Sequence, residues 1–456
     1  MLATLGTRDP ANNGKFIIGV MSTGIYCLPS CHARTPKAEN VQFFACGSDA
    51  EAAGLRPCKK CRPDEYERGE DSELARLEEV VDRIRQEPGE FSGVDSIAES
   101  LEVGVTKANS LFRLHYQQTP AEVLGQARFQ RAKDFLLNSG LSVTEIAFEV
   151  GYESLSTFNE NFKRKSGLTP SEYRQLPSQS QFQFQLPPNY NLPCFLSSFG
   201  RDPMSPTERL LGTSGLLATP NGDLLKIEFG PTAAVTVVKG SALSGYETVA
   251  RVMSLGFDVR PFEAGVEARG FGHLLESRKG ARLPQTQSLL DGLIWAIAGQ
   301  QVNLAFAFAL RKRLIERYGT PVGEDLYTLP TWESLACAKL EDLTAMQFSA
   351  RKAEYLIGIA KLGGGWGEAL ATSSYTRASK ALLAVKGIGI WSSQYILMRA
   401  LGFADCLPLG DTGLTAGVSK LFGLEAKPTL QQIETLTDAF APYRSLATYH
   451  LWQSLK

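Results

Sequence analysis

The sequence of 456 residues has no apolar run that approaches the roughly 18 residues needed to span a membrane. Its first ten residues, MLATLGTRDP, lack the charged segment and following apolar segment that mark a secretory signal. Only eight cysteines are present, and 43% hydrophobic with 21% charged residues is an ordinary globular composition. This composition argues against a disulfide scaffold, a collagen repeat and wholesale disorder. We therefore expect a cytoplasmic protein with reduced thiols and no membrane partner.

The chain also lacks a large net charge of either sign, since its formal charge is −1. Taken alone, that value argues against a partner as anionic as DNA. However, residues 64–102 carry 14 acidic and 4 basic side chains, and the segments around them are mildly basic. The simplest interpretation of the acidic stretch is a solvated linker that leads into an amphipathic helix. The average charge therefore does not exclude DNA.

Length predicts about three or four domains, and the sequence divides by texture. Residues 1–72 hold five of the eight cysteines, and residues 73–176 have helical periodicity. The polar stretch 177–181 is predicted to be a linker. Alternating apolar residues then predict a sheet domain over 182–270. Helical periodicity with glycine-containing turns returns over 271–456.

Four of the cysteines form two close pairs. Cys27 and Cys31 are separated by three residues, and Cys58 and Cys61 by two. Such pairs suit a tetrahedral Zn²⁺, because each short loop turns two thiolates toward one metal. Zinc that only stabilises a domain too small to bury its own core would give the same pattern. Cys46 fits neither pair and is predicted to be an ordinary buried thiol.

The segments TGIYCLPSCHARTPKAENVQFF and AAGLRPCKKCRPD resemble the N-terminal domain of the bacterial Ada protein. In that family a zinc-bound cysteine accepts a methyl group from a methylated phosphate in DNA. The resemblance implies Cys27 as the acceptor, the other three paired cysteines as ligands, and Thr23 and Arg34 as contacts to the DNA backbone. Methylation would remove one negative charge from the site and so raise its affinity for DNA. Because a thioether is stable, the reaction would run once per molecule.

Residues 96–124 and 142–174 are similar to each other. Each has an Ile-Ala start, a Val-Gly turn, a second amphipathic helix and a closing Thr-Pro. Tandem helix-turn-helix units explain this repeat, which resembles the AraC-type DNA-binding domain. The resemblance implies recognition helices near 105–115 and 154–165, whereas the alternative is a plain helical bundle with a basic face. Three residues of the second helix are available for phosphate groups: Lys163, Arg164 and Lys165.

The segment KGIGIW predicts a helix-hairpin-helix, in which Gly387 and Gly389 let backbone N–H groups approach a DNA phosphate. Asp411 follows some twenty residues later. Together with residues 282–307 and 442–452, this region resembles the AlkA-type 3-methyladenine DNA glycosylases. The start of the sheet domain, FQFQLPPNYNL, resembles the N-terminal domain of the same family.

The resemblance implies that Asp411 is the catalytic carboxylate. It would stabilise the positive charge that develops on the sugar as the N-glycosidic bond breaks. A helix N-cap is the alternative role for an aspartate in such a loop, and Asp405 is a nearby competitor. Trp391 stands where lyase-competent relatives carry a catalytic lysine, so the resemblance implies base excision without strand cleavage. Lys386 lies before the hairpin and does not substitute.

Trp391, Tyr395 and Trp452 match the aromatic residues of the family's base pocket. Stacking on such rings favours a cationic alkylated base, although core packing is the alternative for each ring by itself. Gln301 matches the residue that fills the gap left by the flipped base, where the type member has an apolar side chain. The chain lacks a Pro-Cys-His-Arg motif, so removal of methyl groups from guanine O6 is not predicted.

The predicted fold is therefore multidomain α+β. It combines a small zinc α/β module, an all-α tandem helix-turn-helix domain, a small antiparallel sheet domain and an all-α helix-hairpin-helix glycosylase domain. The predicted function is alkylation repair and response, with Zn²⁺ as cofactor, alkylated and promoter double-stranded DNA as partners, and no organic cofactor. One alternative is a transcriptional regulator whose glycosylase half binds DNA without catalysis. Another is an enzyme whose front half only anchors it to damaged DNA.

Overall fold

A computed structural model describes residues 1, 5–9, 12–69 and 71–456. The chain divides into two compact units, Met1–Glu79 and Val80–Lys456. None of the described helices is both long and apolar enough to cross a membrane. The finer domain boundaries stay a prediction, and the multidomain α+β class is confirmed.

The first unit is built on a four-stranded sheet with the order β3-β1-β2-β4. Its elements are β1 (Ile17–Val20), β2 (Ile25–Cys27), β3 (Val41–Phe44), α1 (Gly47–Ala52), β4 (Arg56–Pro57) and α2 (Pro63–Arg68). β2 and β4 are parallel, so their carboxyl ends meet at one edge of the sheet. The core is small, and its buried residues are Ile17, Tyr26, Leu28, Ala50 and Leu55. A core of this size needs additional stabilisation, such as a structural metal.

The helical region is a tandem pair of helix-turn-helix units, as predicted. Its helices are α3 (Ser72–Gln86), α4 (Val94–Ser100), α5 (Val105–Tyr116), α6 (Pro120–Asn138), α7 (Val143–Glu149), α8 (Leu155–Ser166) and α9 (Pro170–Gln175). Helices α5 and α8 confirm the two predicted recognition-helix segments. Each Thr-Pro pair begins the following helix, because the threonine hydroxyls of Thr119 and Thr169 accept backbone N–H bonds in capping boxes.

The sheet domain is a five-stranded antiparallel sheet with the order β5-β9-β8-β7-β6. Its elements are β5 (Gln181–Gln185), α10 (Leu192–Phe199), β6 (Glu208–Leu211), β7 (Ser214–Ala218), β8 (Leu224–Glu228), β9 (Thr232–Lys239), α11 (Ala242–Val252) and α12 (Arg260–Ala268). The alternation read in the sequence is confirmed, because Phe182 and Phe184 of β5 are buried between exposed glutamines.

The second helix-turn-helix unit and the sheet domain share one apolar core, which the sequence did not indicate. Tyr173 contacts Phe162 at 5.6 Å between ring centroids and Tyr246 of the sheet domain at 5.7 Å. Tyr246 in turn contacts Phe184 at 6.0 Å. The polar stretch 177–181 runs from a 3-10 helix directly into β5. The helix-turn-helix region is thus packed against the sheet domain rather than tethered to it.

The remaining residues form a helical domain around a large apolar core. Its elements are α13 (Leu289–Ala298), α14 (Leu304–Tyr318), β10 (Pro321–Gly323), β11 (Leu326–Tyr327), α15 (Trp332–Ala336), α16 (Leu340–Ala345), α17 (Ala350–Ala360), α18 (Gly363–Thr372), α19 (Tyr375–Leu383), α20 (Ile390–Arg399), α21 (Thr412–Phe422), α22 (Leu430–Thr437) and α23 (Arg444–Gln453). All five tryptophans of the chain fall between residues 295 and 452. Tryptophan fluorescence therefore reports on this domain alone.

The stability of the helical domain should depend on pH through His450. This side chain is 1% exposed and packs against Phe262, and burial lowers its pKa to about 4. The unfolded value is about 6.5. The neutral ring thus contributes stability that is fully present above about pH 6.5 and is lost as the pH falls to about 4, at most about 3 kcal/mol. Urea unfolding followed by tryptophan fluorescence at about pH 7 and about pH 5 measures this loss.

The matched variant is His450→Phe, which keeps a ring of similar size but cannot be protonated. We expect a smaller drop in unfolding free energy across the same pH interval, whatever its absolute stability. Equal drops in the two proteins would show that other groups cause the acid sensitivity.

Candidate functional site

The four paired cysteines lie together at the edge of the first sheet. Cys27 ends β2 and Cys58 follows β4, and these strands are parallel neighbours. Cys31 and Cys61 lie in the turns that follow. The parallel pairing explains how residues some thirty positions apart reach one point.

The donor set fits a tetrahedral zinc ion. The four Sγ atoms all lie within 4.8 Å of one another, and Zn–S bonds of about 2.3 Å require sulfurs about 3.8 Å apart. Crowded sulfurs need either shared protons or a cation: hydrogen bonding between Cys27 and Cys31 raises the pKa of the former and lowers that of the latter. Backbone N–H groups of Leu28 and Ala33 donate to Cys61 Sγ and Cys31 Sγ at 3.3 and 3.4 Å. Such donors stabilise thiolate charge.

The surface beside this centre is basic. Thr23 lies in the turn between β1 and β2 and Arg34 follows Cys31, and both side chains are exposed, as contacts to a DNA backbone must be. Lys59 and Lys60, between the last two ligands, are exposed as well. These two lysines were not predicted as DNA contacts, although their position between Cys58 and Cys61 indicates that they lie beside the metal site. Cys46 lies outside the sulfur cluster, as predicted, but it is half-buried rather than buried.

Asp411 occupies the start of α21 and accepts three N–H donors. Its Oδ1 accepts from the backbone of Leu414 at 2.7 Å and from the indole of Trp452 at 2.9 Å. Its Oδ2 accepts from the indole of Trp391 at 3.2 Å. The helix N-cap considered as an alternative role is therefore present, together with two side-chain donors that an N-cap does not need. This donor set suits an ionised carboxylate held in one orientation.

The aromatic residues predicted for a base pocket surround this carboxylate. Trp391 and Tyr395 are stacked, with ring centroids 5.4 Å apart and planes 24° apart. The guanidinium of Arg399 lies 5.8 Å from the centroid of Tyr395. These three residues are spaced four apart on α20 and so form one stripe. The structure brings Trp391 and Trp452 to Asp411 and Tyr395 to Trp391, whereas core packing alone would not direct two indole N–H groups at one carboxylate.

Tyr395 and Trp452 also line a cavity of about 120 Å³. Arg201 is another lining residue, and its guanidinium lies 5.9 Å from the ring centroid of Trp295. Gln287 is 9% exposed, and neither atom of its side-chain amide has a partner among the described residues. Neither Arg201 nor Gln287 was predicted from the sequence, because no local motif marks them.

The hairpin between α19 and α20 depends on its first glycine. Gly387 has φ +95°, and a Cβ there would lie 2.3 Å from the ring of Tyr355. Gly389 is the N-cap of α20, and a Cβ there would meet nothing within 4 Å. The first glycine therefore shapes the turn, and the second leaves the N-terminus of α20 open for a phosphate group.

The loop after α13 is joined to this hairpin. Gln300 Nε2 donates to the carbonyl oxygen of Gly387 at 2.8 Å and to Ser392 Oγ at 3.1 Å. The neighbouring Gln301 is exposed and has φ +52°, which is unusual for a residue with a side chain. Gln301 thus projects from a loop that is fixed to the hairpin, in keeping with a residue that enters DNA. Gln300 was not predicted as part of this site. Its position next to Gln301 was the one feature of the sequence that pointed to it.

The basic residues of α8 differ in their surroundings. Lys163 and Arg164 are exposed, as DNA contacts require. Lys165 instead donates to the carbonyl oxygen of Gly125 at 2.7 Å, and burial lowers its pKa to about 8. The structure gives Lys165 a role in packing α8 against α6.

Three family descriptions match successive parts of the chain. Residues 1–64 match the metal binding domain of Ada, residues 97–176 match a helix-turn-helix domain, and residues 294–442 match the HhH-GPD superfamily of base excision DNA repair proteins. The first match and the geometry of the sulfur cluster together identify the four cysteines as a zinc-binding site. The other two matches assign double-stranded DNA as the partner of both helical regions.

Similar proteins match the whole chain or a part of it. The probable bifunctional transcriptional activator/DNA repair enzyme AlkA of Mycobacterium tuberculosis is 27% identical over 99% of this chain and 95% of its own length. The bifunctional transcriptional activator/DNA repair enzyme AdaA of Bacillus subtilis is 34% identical over 38% of this chain and 81% of its own length. The DNA-3-methyladenine glycosylase of Bacillus subtilis is 34% identical over 39% of this chain and 60% of its own length.

A solved structure shares the fold of the second half. It is a 3-methyladenine DNA-glycosylase from Archaeoglobus fulgidus, with a TM-score of 0.55, 20% identity, and coverage of 60% of this chain and 97% of its own. The chain thus belongs to the Ada family of bifunctional transcriptional activator/DNA repair enzymes, with its metal-binding and helix-turn-helix domains joined to an HhH-GPD base excision repair domain.

Proposed function

We propose that this protein excises alkylated bases of the 3-methyladenine type from double-stranded DNA, and that it also accepts methyl groups from methylphosphotriesters on Cys27. The observation that carries the first activity is the Asp411 carboxylate, held by Leu414, Trp391 and Trp452 beside an aromatic stripe. The four-sulfur cluster carries the second.

Asp411 would act by electrostatic stabilisation. As the N-glycosidic bond breaks, its electron pair leaves with the base and the sugar gains positive charge at C1′. A fixed carboxylate stabilises that charge without having to reorganise. Water then adds to C1′ and releases a proton, so the products are the free base and an abasic site.

The aromatic side chains would select the base. A base methylated at N3 is cationic in DNA and becomes neutral on release, so its charge both weakens its own bond and favours the faces of Trp391, Tyr395 and Trp452. Tyr395 and Trp452 line one cavity, and Trp452 also donates to Asp411, which supports a flipped base between the cavity and the carboxylate. Gln301 would fill the space that the base leaves in the duplex, and Gly387 and Gly389 would bring α20 to a phosphate group.

We further propose that the glycosylase is monofunctional. The side-chain partners of Asp411 within the described residues are two indoles and no lysine. Lys386, the basic residue of the hairpin motif, pairs with Glu354 at 3.2 Å. Without an amine at C1′ no Schiff base forms, so the DNA strand stays intact.

Cys27 would take the methyl group by direct displacement. Its sulfur forms a bond to the methyl carbon, the carbon–oxygen bond breaks, and the electron pair stays on the phosphate, which becomes an ordinary diester. Zn²⁺ held by Cys27, Cys31, Cys58 and Cys61 would keep the sulfur a thiolate at neutral pH. Thr23 and Arg34 are exposed beside the cluster and would hold the DNA backbone.

The charge of the zinc centre would then control DNA binding by the front half. Four thiolates repel phosphate, and converting one to a thioether removes one negative charge. Lys163 and Arg164 of α8 would contact the phosphates of promoter DNA. We place this activity in the cytoplasm, because all eight cysteines, which are described residues, are unpaired.

The substitution Asp411→Asn tests the glycosylase. Asparagine is an equally good helix N-cap, so the fold should persist. Loss of the carboxylate charge should lower the rate of base release from alkylated duplex DNA by about a hundredfold or more. Released bases are separated by chromatography and quantified.

The matched control is Asp325→Asn, the same change at an exposed aspartate in the β10–β11 turn, where φ is +55°. It should release base at the wild-type rate, because asparagine tolerates this conformation. Equal release by wild type and Asp411→Asn would remove Asp411 as the catalyst. No release by the wild type would favour the regulator that binds DNA without catalysis.

Methyl transfer predicts one methyl group on Cys27 after incubation with DNA that contains methylphosphotriesters. The tryptic peptide 16–34 contains both Cys27 and Cys31, so fragmentation in the mass spectrometer must separate the two. Cys46 serves as the internal control, since it lies outside the cluster and should stay unmodified. A methyl group on Cys31, or none in this peptide, contradicts the assignment.

Borohydride trapping tests the monofunctional assignment. The wild type, incubated with DNA containing an abasic site and borohydride, should form no covalent complex, because the reaction involves no imine. A lyase-competent glycosylase run in parallel shows that trapping works. A trapped complex and strand cleavage would mean that an amine reaches C1′.

A further inference from the structure

One residue of the first helix-turn-helix unit bonds to the backbone of the glycosylase domain. Gln117 follows the last residue of α5. Its Nε2 donates to the carbonyl oxygen of Asp405 at 3.2 Å, and its Oε1 accepts from the backbone N–H of Asp405 at 2.7 Å. A side-chain amide thus satisfies both polar backbone groups of one residue, as a neighbouring β-strand would.

Asp405 lies in the loop 403–411, which connects α20 to Asp411. No helix or strand includes these residues, so their backbone groups must be satisfied from elsewhere. Cys406 N donates to Ser445 Oγ at 2.9 Å and Leu407 N donates to Gln394 Oε1 at 3.0 Å. Three consecutive N–H groups of this loop therefore bind side chains, and the first of these side chains belongs to the helix-turn-helix unit.

The loop is connected to the glycosylase site through Leu407, which binds Gln394, and through Asp405. Gln394 precedes Tyr395 of the aromatic stripe. The side chain of Asp405 binds Arg444 at 2.6 Å, and Arg444 begins α23, which carries Trp452. A displacement of Asp405 would therefore also displace Asp411 and Trp452, its indole donor.

The backbone conformation of Gln117 does not favour a glutamine at the end of α5. Its φ of +56° and ψ of 24° are left-handed, a conformation that favours glycine. The corresponding residue of the second helix-turn-helix unit is Gly167, which has φ +74° and also precedes a Thr-Pro helix start. Gln117 occupies a position suited to glycine, and its two bonds to Asp405 explain the glutamine.

A second contact lies nearby but does not involve the loop. His115, on the last turn of α5, makes a hydrogen bond with Thr376 Oγ1 of α19 at 2.9 Å. The same helix end thus also contacts α19 of the glycosylase domain, whereas Gln117 contacts the loop that leads to Asp411.

We propose that Gln117 is a positioning residue of the glycosylase, contributed by the helix-turn-helix domain: it fixes the loop 403–411 and so the orientation of Asp411. This inference depends on the proposed function, because it assigns Gln117 to the reaction that Asp411 carries out. It also makes the helix-turn-helix domain a part of the working glycosylase.

The test is Gln117→Gly in the full-length protein. Glycine removes the side chain and suits the left-handed backbone, so α5 should remain folded. We expect kcat for base release to fall about three- to tenfold while KM for DNA stays within about twofold, because small misplacements of a catalytic group lower the rate of the chemical step. Hydrogen–deuterium exchange should become faster for backbone amides within 403–411.

The control is Thr376→Val, which removes the hydrogen bond between His115 and Thr376 at the same helix end and leaves the loop bonds intact. It should keep the wild-type kcat and the wild-type exchange of 403–411. The urea midpoint from tryptophan fluorescence checks that both variants are folded. If Gln117→Gly is not folded, Gln117→Asn replaces it, because the shorter side chain leaves the backbone groups of Asp405 without their bonds to residue 117.

Each outcome has one meaning. Wild-type kcat and exchange in folded Gln117→Gly overturn the inference, as does an equal loss in Thr376→Val, which would assign the effect to domain docking. If wild type and Asp411→Asn release base equally, or neither releases any, the proposed function fails instead, and kcat carries no information on Gln117. In that case unchanged amide exchange over 403–411 in Gln117→Gly still overturns the positioning of the loop.

Discussion

One carboxylate and its three N–H donors join three helices in the second half of the molecule. Asp411 begins α21, Trp391 comes from α20, and Trp452 comes from α23. The two indole bonds join α20 and α23 to the start of α21, and the bond from Leu414 caps α21 itself. Aromatic rings held in this way support the charged group, and in the proposed function they would also form a wall for a flipped base.

Much of the fold could be predicted because its signals are local. Thr-Pro pairs begin helices by capping, and two close cysteine pairs turn their sulfurs toward one metal. Gly387 supplies a backbone angle that other residues avoid. Each of these effects depends on a few neighbouring residues, so spacing in the sequence was sufficient. The helix N-cap at Asp411 is likewise a local feature, whereas its catalytic role stays a proposal.

What the sequence did not indicate is carried by partners far apart along the chain. The indole bonds to Asp411 join residues 20 and 41 positions away, and Gln117 meets Asp405 at a separation of 288. Gln287 and Arg201 become part of a cavity only when the sheet domain and α20 come together. Lys165 was misleading because its charged neighbours are exposed, whereas its own amine is buried against a carbonyl oxygen. Side-chain direction on a helix decides such cases, and composition does not reveal it.

The two proposed reaction centres, Asp411 and Cys27, use their negative charges in opposite ways. In the proposed function the Asp411 carboxylate stays charged and unchanged, so neutral donors from a large, rigid core are sufficient and the site would act repeatedly. The thiolate of Cys27 would instead give up its charge to a methyl group, and it lies in a unit whose core is only a few side chains. A metal suits that unit because it organises the fold and keeps the sulfur ionised at the same time. Because a thioether cannot revert, the proposed change in charge would be permanent. It would therefore suit a lasting signal, whereas the proposed glycosylase would return to its starting state after each base.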